Sequence, residues 1–192
     1  MTDLVIGVLA LTACVYGTSS LVKLVSRTSY RAFRDGLAET KLVPRRLLGG
    51  VAVALTSGEA VVAVLLAVGT VLAVTNAPGS VPVAAAALGC GSVLGAVLAA
   101  GVAVVIRSGT RATCACFGAR ASRPIGPSHL ARNAFLLVLM IVGLIGNSVR
   151  HGKPDTGVAI VAIAAGAVIA LLIIRLDDLA DLFAPVHREA GR

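Results

Sequence analysis

The sequence predicts an all-α polytopic membrane bundle of about five transmembrane helices, with one short amphipathic helix at the interface. Three observations carry this. Of 192 residues, 57% are hydrophobic and 14% charged, too little charge to cover a soluble domain of this length. The apolar residues fall in runs of about twenty, the length that crosses roughly 30 Å of hydrocarbon at about 1.5 Å per residue. The charged residues gather between those runs. A formal charge of +8 would otherwise suggest a nucleic-acid partner. Its placement between spans makes it a topology signal instead, so lipid bilayer and not nucleic acid is the expected surrounding. Residues 1–192 read as a single integral membrane domain.

The first span covers about residues 4–25. It lacks a basic n-region, and Asp3 is its only charged neighbour, which argues against a cleaved signal peptide. Its second half is more polar and ends near Lys23. The commoner role for such a lysine is an interface anchor that snorkels along its alkyl stem; the alternative is a partner for an acid. In residues 28–41, Tyr30, Phe33 and Leu37 share one side, while Arg31, Arg34, Asp35 and Glu39 fall elsewhere, the pattern of an interfacial amphipathic helix. Val43-Pro44 ends it, and Arg45 and Arg46 precede the second span.

The second span, about 47–74, holds Glu59, an acid inside an apolar run. A carboxylate there costs several kcal/mol unless it is neutral, paired or hydrated, so Glu59 is a candidate charge or proton partner, with Lys23 or Arg132 as its counterpart. An uncharged turn, Thr75 to Ser80, leads to the third span, about 81–106. Gly91, Gly95 and Ala99 recur every fourth residue there, a spacing that lets helices approach closely in lipid. Cys14 and Cys90 lie inside spans and read as small buried fillers. The fourth span, about 129–149, opens with Ser128 as expected N-cap and clusters His129, Arg132 and Asn133 at its start. There Arg132 reads as an end anchor and His129 as an exposed interfacial residue. The fifth span covers about 156–174, followed by a tail of mixed charge.

Between the third and fourth spans lies the loop 107–127, with Cys114-Ala115-Cys116-Phe117-Gly118 at its centre. Arg107, Arg111, Arg120 and Arg123 surround the two thiols, and no acid falls between Arg107 and Ser128. Thiolates attack disulfides and bind metals, and both the arginines and the start of the next helix favour the thiolate. A disulfide across one residue closes a small, strained ring, which suits exchange better than a structural staple. Cys114 and Cys116 are therefore the candidate catalytic couple, tuned by Arg111, Arg120 and Arg132. The competing chemistry is a soft-metal site with Cys114, Cys116 and His129 as ligands, although the spacing is not a standard zinc pattern. A further alternative is a non-enzymatic subunit that scaffolds other membrane subunits through its Gly/Ala-rich surfaces.

The Cys-x-Cys-Phe-Gly core, followed by Arg132-Asn133 at the head of the next span, resembles the methylamine-utilisation MauE family, which is related to the DoxX-type redox-associated membrane proteins. Lys23 before an amphipathic segment with Phe33, and Glu59 within the second span, fit as well. The resemblance covers roughly residues 1–150, and Ala115 stands where the family usually has glycine. It implies a helical bundle active in redox maturation of a partner protein, beside a thioredoxin-like protein, on the extracytoplasmic side. A membrane quinone is one candidate electron acceptor; no motif identifies it.

Charge placement gives a different side. Five spans put the termini on opposite faces. Fifteen of the seventeen basic residues lie on the face of the first inter-span segment, the cysteine loop and the tail, and only Arg150 and Lys153 lie opposite. In a plasma (inner) membrane this predicts the N-terminus outside, and the C-terminus and cysteine loop in the cytoplasm.

Overall fold

The computed structural model describes residues 1–110, 112–114, 123–150 and 152–176. Six helices and a two-stranded ribbon make up this part: α1 Thr2–Val25, α2 Arg27–Glu39, α3 Leu48–Val74, α4 Ser80–Ser108, β1 Thr113–Cys114, β2 Arg123–Pro124, α5 Pro127–Ser148 and α6 Thr156–Ile174. All except α2 and the ribbon are helices long and apolar enough to cross a membrane. The protein is an all-α polytopic membrane bundle.

The central helix is α1, which packs against α3, α5 and α6. Val5, Ile6 and Leu9 are wholly buried in the largest core cluster, together with Leu66 of α3, Leu88 of α4 and Met140 of α5. Lipid supplies no hydrophobic drive between helices, so close approach decides the packing. The small residues of α4 serve this purpose: Gly91 and Gly95 lie against Met140 of α5, where a Cβ would come within 2.7 and 3.0 Å of its side chain. At the α1–α6 crossing the approach is between backbones, since a Cβ on Gly166 would sit 2.7 Å from the carbonyl oxygen of Gly7. Large apolar side chains of α3, α4 and α6, such as Val64, Val93 and Val161, face outward, as lipid-facing surfaces do.

Ser26 separates α1 from α2 and caps the latter, accepting a hydrogen bond from the Ser29 N–H at 3.2 Å. The amphipathic pattern is observed: Arg31, Arg34, Asp35 and Glu39 are exposed, while Phe33 and Leu37 are half-buried. What they pack on is more specific than an interface. Phe33 and Leu37 face Val51 and Leu55 of α3 and Leu98 and Val102 of α4 across one pocket. The reason is an offset. Lys23, two residues from the end of α1, contacts Glu59, the twelfth residue of α3. The first three turns of α3 therefore overhang α1, and α2 fills the space beside them.

Two local expectations are corrected, and the loop shows a pairing that the sequence pattern does not carry. Cys14 and Cys90 are exposed, not buried; a thiol is apolar enough to face lipid. The N-cap of α5 is Gly126 and not Ser128, with Pro127 in the first turn, where its missing N–H costs nothing. The loop after α4 is not wholly irregular: Thr113 pairs with Pro124 and Cys114 with Arg123 in an antiparallel ribbon.

Candidate functional site

The end of the bundle that carries α2 and the ribbon also holds a cluster of buried polar side chains. Lys23 is the largest fully buried side chain, and its Nζ donates to Glu59 Oε2 at 2.6 Å. The same Nζ donates to Ser19 Oγ at 3.1 Å, and Ser19 Oγ donates to Glu59 Oε2 at 3.1 Å. Lys23 also lies 4.3 Å from the centre of the Phe33 ring, which adds a cation–π contact from α2. The helices account for this convergence. Tyr16, Ser19 and Lys23 stand seven, four and zero residues from the lysine, on one face of α1. That face meets α3 at Glu59.

This corrects the anchor role for Lys23: its side chain is 0% exposed and does not reach toward headgroups. Of the two counterparts expected for Glu59, Lys23 forms a direct ion pair with it, and Arg132 lines the cavity beside it. A buried charge is tolerated when paired and hydrogen-bonded, and both conditions hold here. A second ion pair, Arg34–Asp35, is exposed.

On the far side of Glu59 is a small cavity of about 70 Å³, lined by Tyr16, Ser19, Glu59, His129, Arg132 and Asn133 among others. At about 30 Å³ per molecule it has room for roughly two waters, and its walls offer the polar partners that water requires. His129 and Arg132 are 4% and 7% exposed, which corrects their reading as an interfacial histidine and an end anchor. The turn into α5 places them: the Gly126 N–H donates to His129 Nδ1 at 3.4 Å, and the imidazole is held inward. Glu59, Arg132 and Asn133 line this cavity together, and Lys23 reaches it through its ion pair with Glu59. Sequence reasoning missed Tyr16 and Ser19, whose helical spacing from Lys23 was the available signal.

The cysteine strand is fixed to this end by α2. Glu39 Oε2 accepts from both the Thr113 N–H at 2.8 Å and the Thr113 Oγ1 at 2.9 Å. Gly36 lies under the same residue, so close that a Cβ there would collide with the Thr113 carbonyl oxygen. Thr113 precedes Cys114 in β1, and Phe33, one turn before Gly36, covers Lys23. One short helix thus touches both the strand that carries Cys114 and the buried ion pair. Arg111, Cys116 and Arg120 lie outside the described residues, and so does the geometry of the thiol pair and of any Cys114–Cys116–His129 metal site. Among the described residues no cluster of three metal-ligating side chains occurs.

Comparison with protein families matches residues 1–146 to the family described as Methylamine utilisation protein MauE. The match covers α1 to nearly the end of α5 and leaves α6 outside. It bears on MauE and not on the wider DoxX-type kinship. Comparison with curated proteins gave no match, and comparison with solved structures gave none. A match over three quarters of the chain, which includes every helix around the buried ion pair, identifies this multi-pass membrane protein as a member of the MauE family.

Proposed function

We propose that the chain is a membrane thiol–disulfide exchange protein that oxidises a thioredoxin-like partner during maturation of another protein. The reading is supported above all by the grip of α2 on β1, which brings the strand of Cys114 to the same end of the bundle as the buried Lys23–Glu59 pair. The family's name adds that its members serve methylamine utilisation.

In this mechanism Cys114 and Cys116 start as a disulfide. A partner thiolate attacks one sulfur and forms a mixed disulfide, releasing the other cysteine as a thiolate. The partner's second thiol then displaces the attacked cysteine, so the partner leaves oxidised and the pair is left reduced. Arg111, Arg120 and Arg132 stabilise the thiolates, and the α5 N-terminus adds its dipole. Glu59, with Lys23 and the cavity beyond it, takes up or returns the protons that the thiols exchange. By the positive-inside count the N-terminus is outside, and the pair works at the cytoplasmic face of the plasma membrane.

The test is trapping. Cys114→Ser and Cys116→Ser each remove the resolving or the attacked sulfur, so both should abolish turnover. On the wild-type pair, a partner that lacks its second thiol should accumulate as a covalent mixed disulfide, visible on non-reducing gels, and neither serine variant should form it. Turnover that survives both substitutions would sink the exchange reading and favour a scaffold.

A further inference from the structure

Reduction of the thiol pair by a partner leaves two electrons to be discharged, and a second cavity borders the strand that carries Cys114. It has a volume of about 260 Å³ and is enclosed by α2, the segment after it, α3, α4 and the ribbon. Its walls include Phe33, Leu37, Leu55, Leu98, Val102 and Thr113, and apart from two threonines all its lining side chains are apolar or glycine. Three features narrow the occupant. The lining selects an apolar molecule, one that reaches the pocket from the bilayer. Thr113 lines the pocket and Cys114 follows it, so the strand of the reactive thiol forms the rim. Leu98 and Val102 line both this pocket and the cavity of Glu59, so the two spaces are separated by a single layer of side chains.

We propose that this pocket binds the ring of a lipid-soluble quinone, the electron acceptor of the thiol pair. The inference rests on the exchange reading above. The step balances without another reagent: the two thiols of Cys114 and Cys116 give up two electrons and two protons, the sulfur–sulfur bond forms, and the quinone becomes a quinol. Phe33 offers the ring an aromatic wall and itself lies over Lys23. A lipid acyl chain would also fit an apolar pocket, but it accepts no electrons and has no reason to meet the cysteine strand.

The experiment uses the whole reduced chain in lipid discs with a short-tailed quinone. Quinone absorbance and thiol alkylation are followed together. The expected result is one quinol formed per disulfide. Gly101 lines the pocket, and a Cβ there meets nothing within 4 Å, so Gly101→Leu fills it without disturbing the helix. This variant should need at least tenfold more quinone for half-maximal rate. Gly89 is equally open but lies outside the pocket, so Gly89→Leu should match wild type. A photoreactive quinone on the wild-type chain should label α2 or α4 residues of the pocket, in competition with unlabelled quinone. If the pair exchanges with a soluble disulfide yet reduces no quinone, or if labelling falls only on other surfaces, the pocket proposal is wrong and the exchange reading stands. If the pair exchanges with neither, both fall.

Discussion

Replacing Lys23 by methionine removes a charge from the most buried contact at the site while nearly keeping its length. In the native protein, Glu59 Oε2 accepts from Lys23 Nζ at 2.6 Å and from Ser19 Oγ at 3.1 Å, with the lysine side chain 0% and the glutamate side chain 4% exposed. Lys23→Met leaves the carboxylate buried without its ammonium partner. Breaking a buried pair in this way costs about 3–5 kcal/mol. Glu59→Leu strands the ammonium and should cost a similar amount, whereas Glu59→Gln keeps an acceptor and should cost less, about 1.5–3 kcal/mol by the worth of a hydrogen bond to a charged group. The double variant Lys23→Met/Glu59→Leu carries neither charge of the pair. Its main loss is the Ser19 bond, about 1 kcal/mol, because a serine in a helix can turn back to its own backbone. The two single effects should therefore sum to far more than the double, a coupling of several kcal/mol. Equilibrium unfolding in mixed micelles, followed by helical circular dichroism, measures all four proteins. Single variants as stable as wild type, or effects that simply add, would refute the buried-pair energetics.

Other expectations follow from single contacts. Glu59→Gln should retain the fold and slow thiol exchange severalfold in a stopped-flow assay, because it cannot hold a proton; an unchanged rate would remove Glu59 from the chemistry. Glu39→Ala deletes both hydrogen bonds to Thr113 and should loosen β1 by roughly 1–3 kcal/mol, seen as faster alkylation of Cys114. Gly166→Val places a side chain against the Gly7 carbonyl and the Leu11 N–H, and overpacking of about 1–3 kcal/mol should lower the melting temperature. An impermeant thiol reagent on intact cells should spare Cys114 and Cys116 and label them in inverted vesicles; ready labelling from outside would place the loop on the extracytoplasmic face.

The spans were legible because lipid demands long apolar runs with every backbone group bonded internally, and such runs are visible one residue at a time. Glu59 was legible for the same reason, since one acid inside such a run is conspicuous. Its counterpart was harder to read. Lys23 lies near the end of its helix, where lysines ordinarily snorkel, and only the overhang of α3 past α1 brings it level with Glu59. Nothing in a linear pattern encodes that offset. His129 and Arg132 were misjudged through the same lack of depth, because the first turns of α5 face inward against α1, α3 and α4 beside Glu59. The bond from Thr113 to Glu39 spans 74 residues and carries no local signal at all. Cys14 and Cys90 were misread by a soluble-protein habit: inside a membrane, apolar means facing lipid as readily as facing the core.

The central claim is that Cys114 and Cys116 form one two-electron couple. It is tested most directly by a redox titration of the chain in lipid discs, with mass-shift alkylation at each poised potential. Cys14 and Cys90, exposed and far apart in sequence, serve as references that should be alkylated throughout. The account predicts that two alkyl groups, mapped to Cys114 and Cys116, disappear together in a single transition with the slope of a two-electron process. Two cysteines that stay alkylated at every potential, in a protein whose serine variants still support partner maturation, would contradict it.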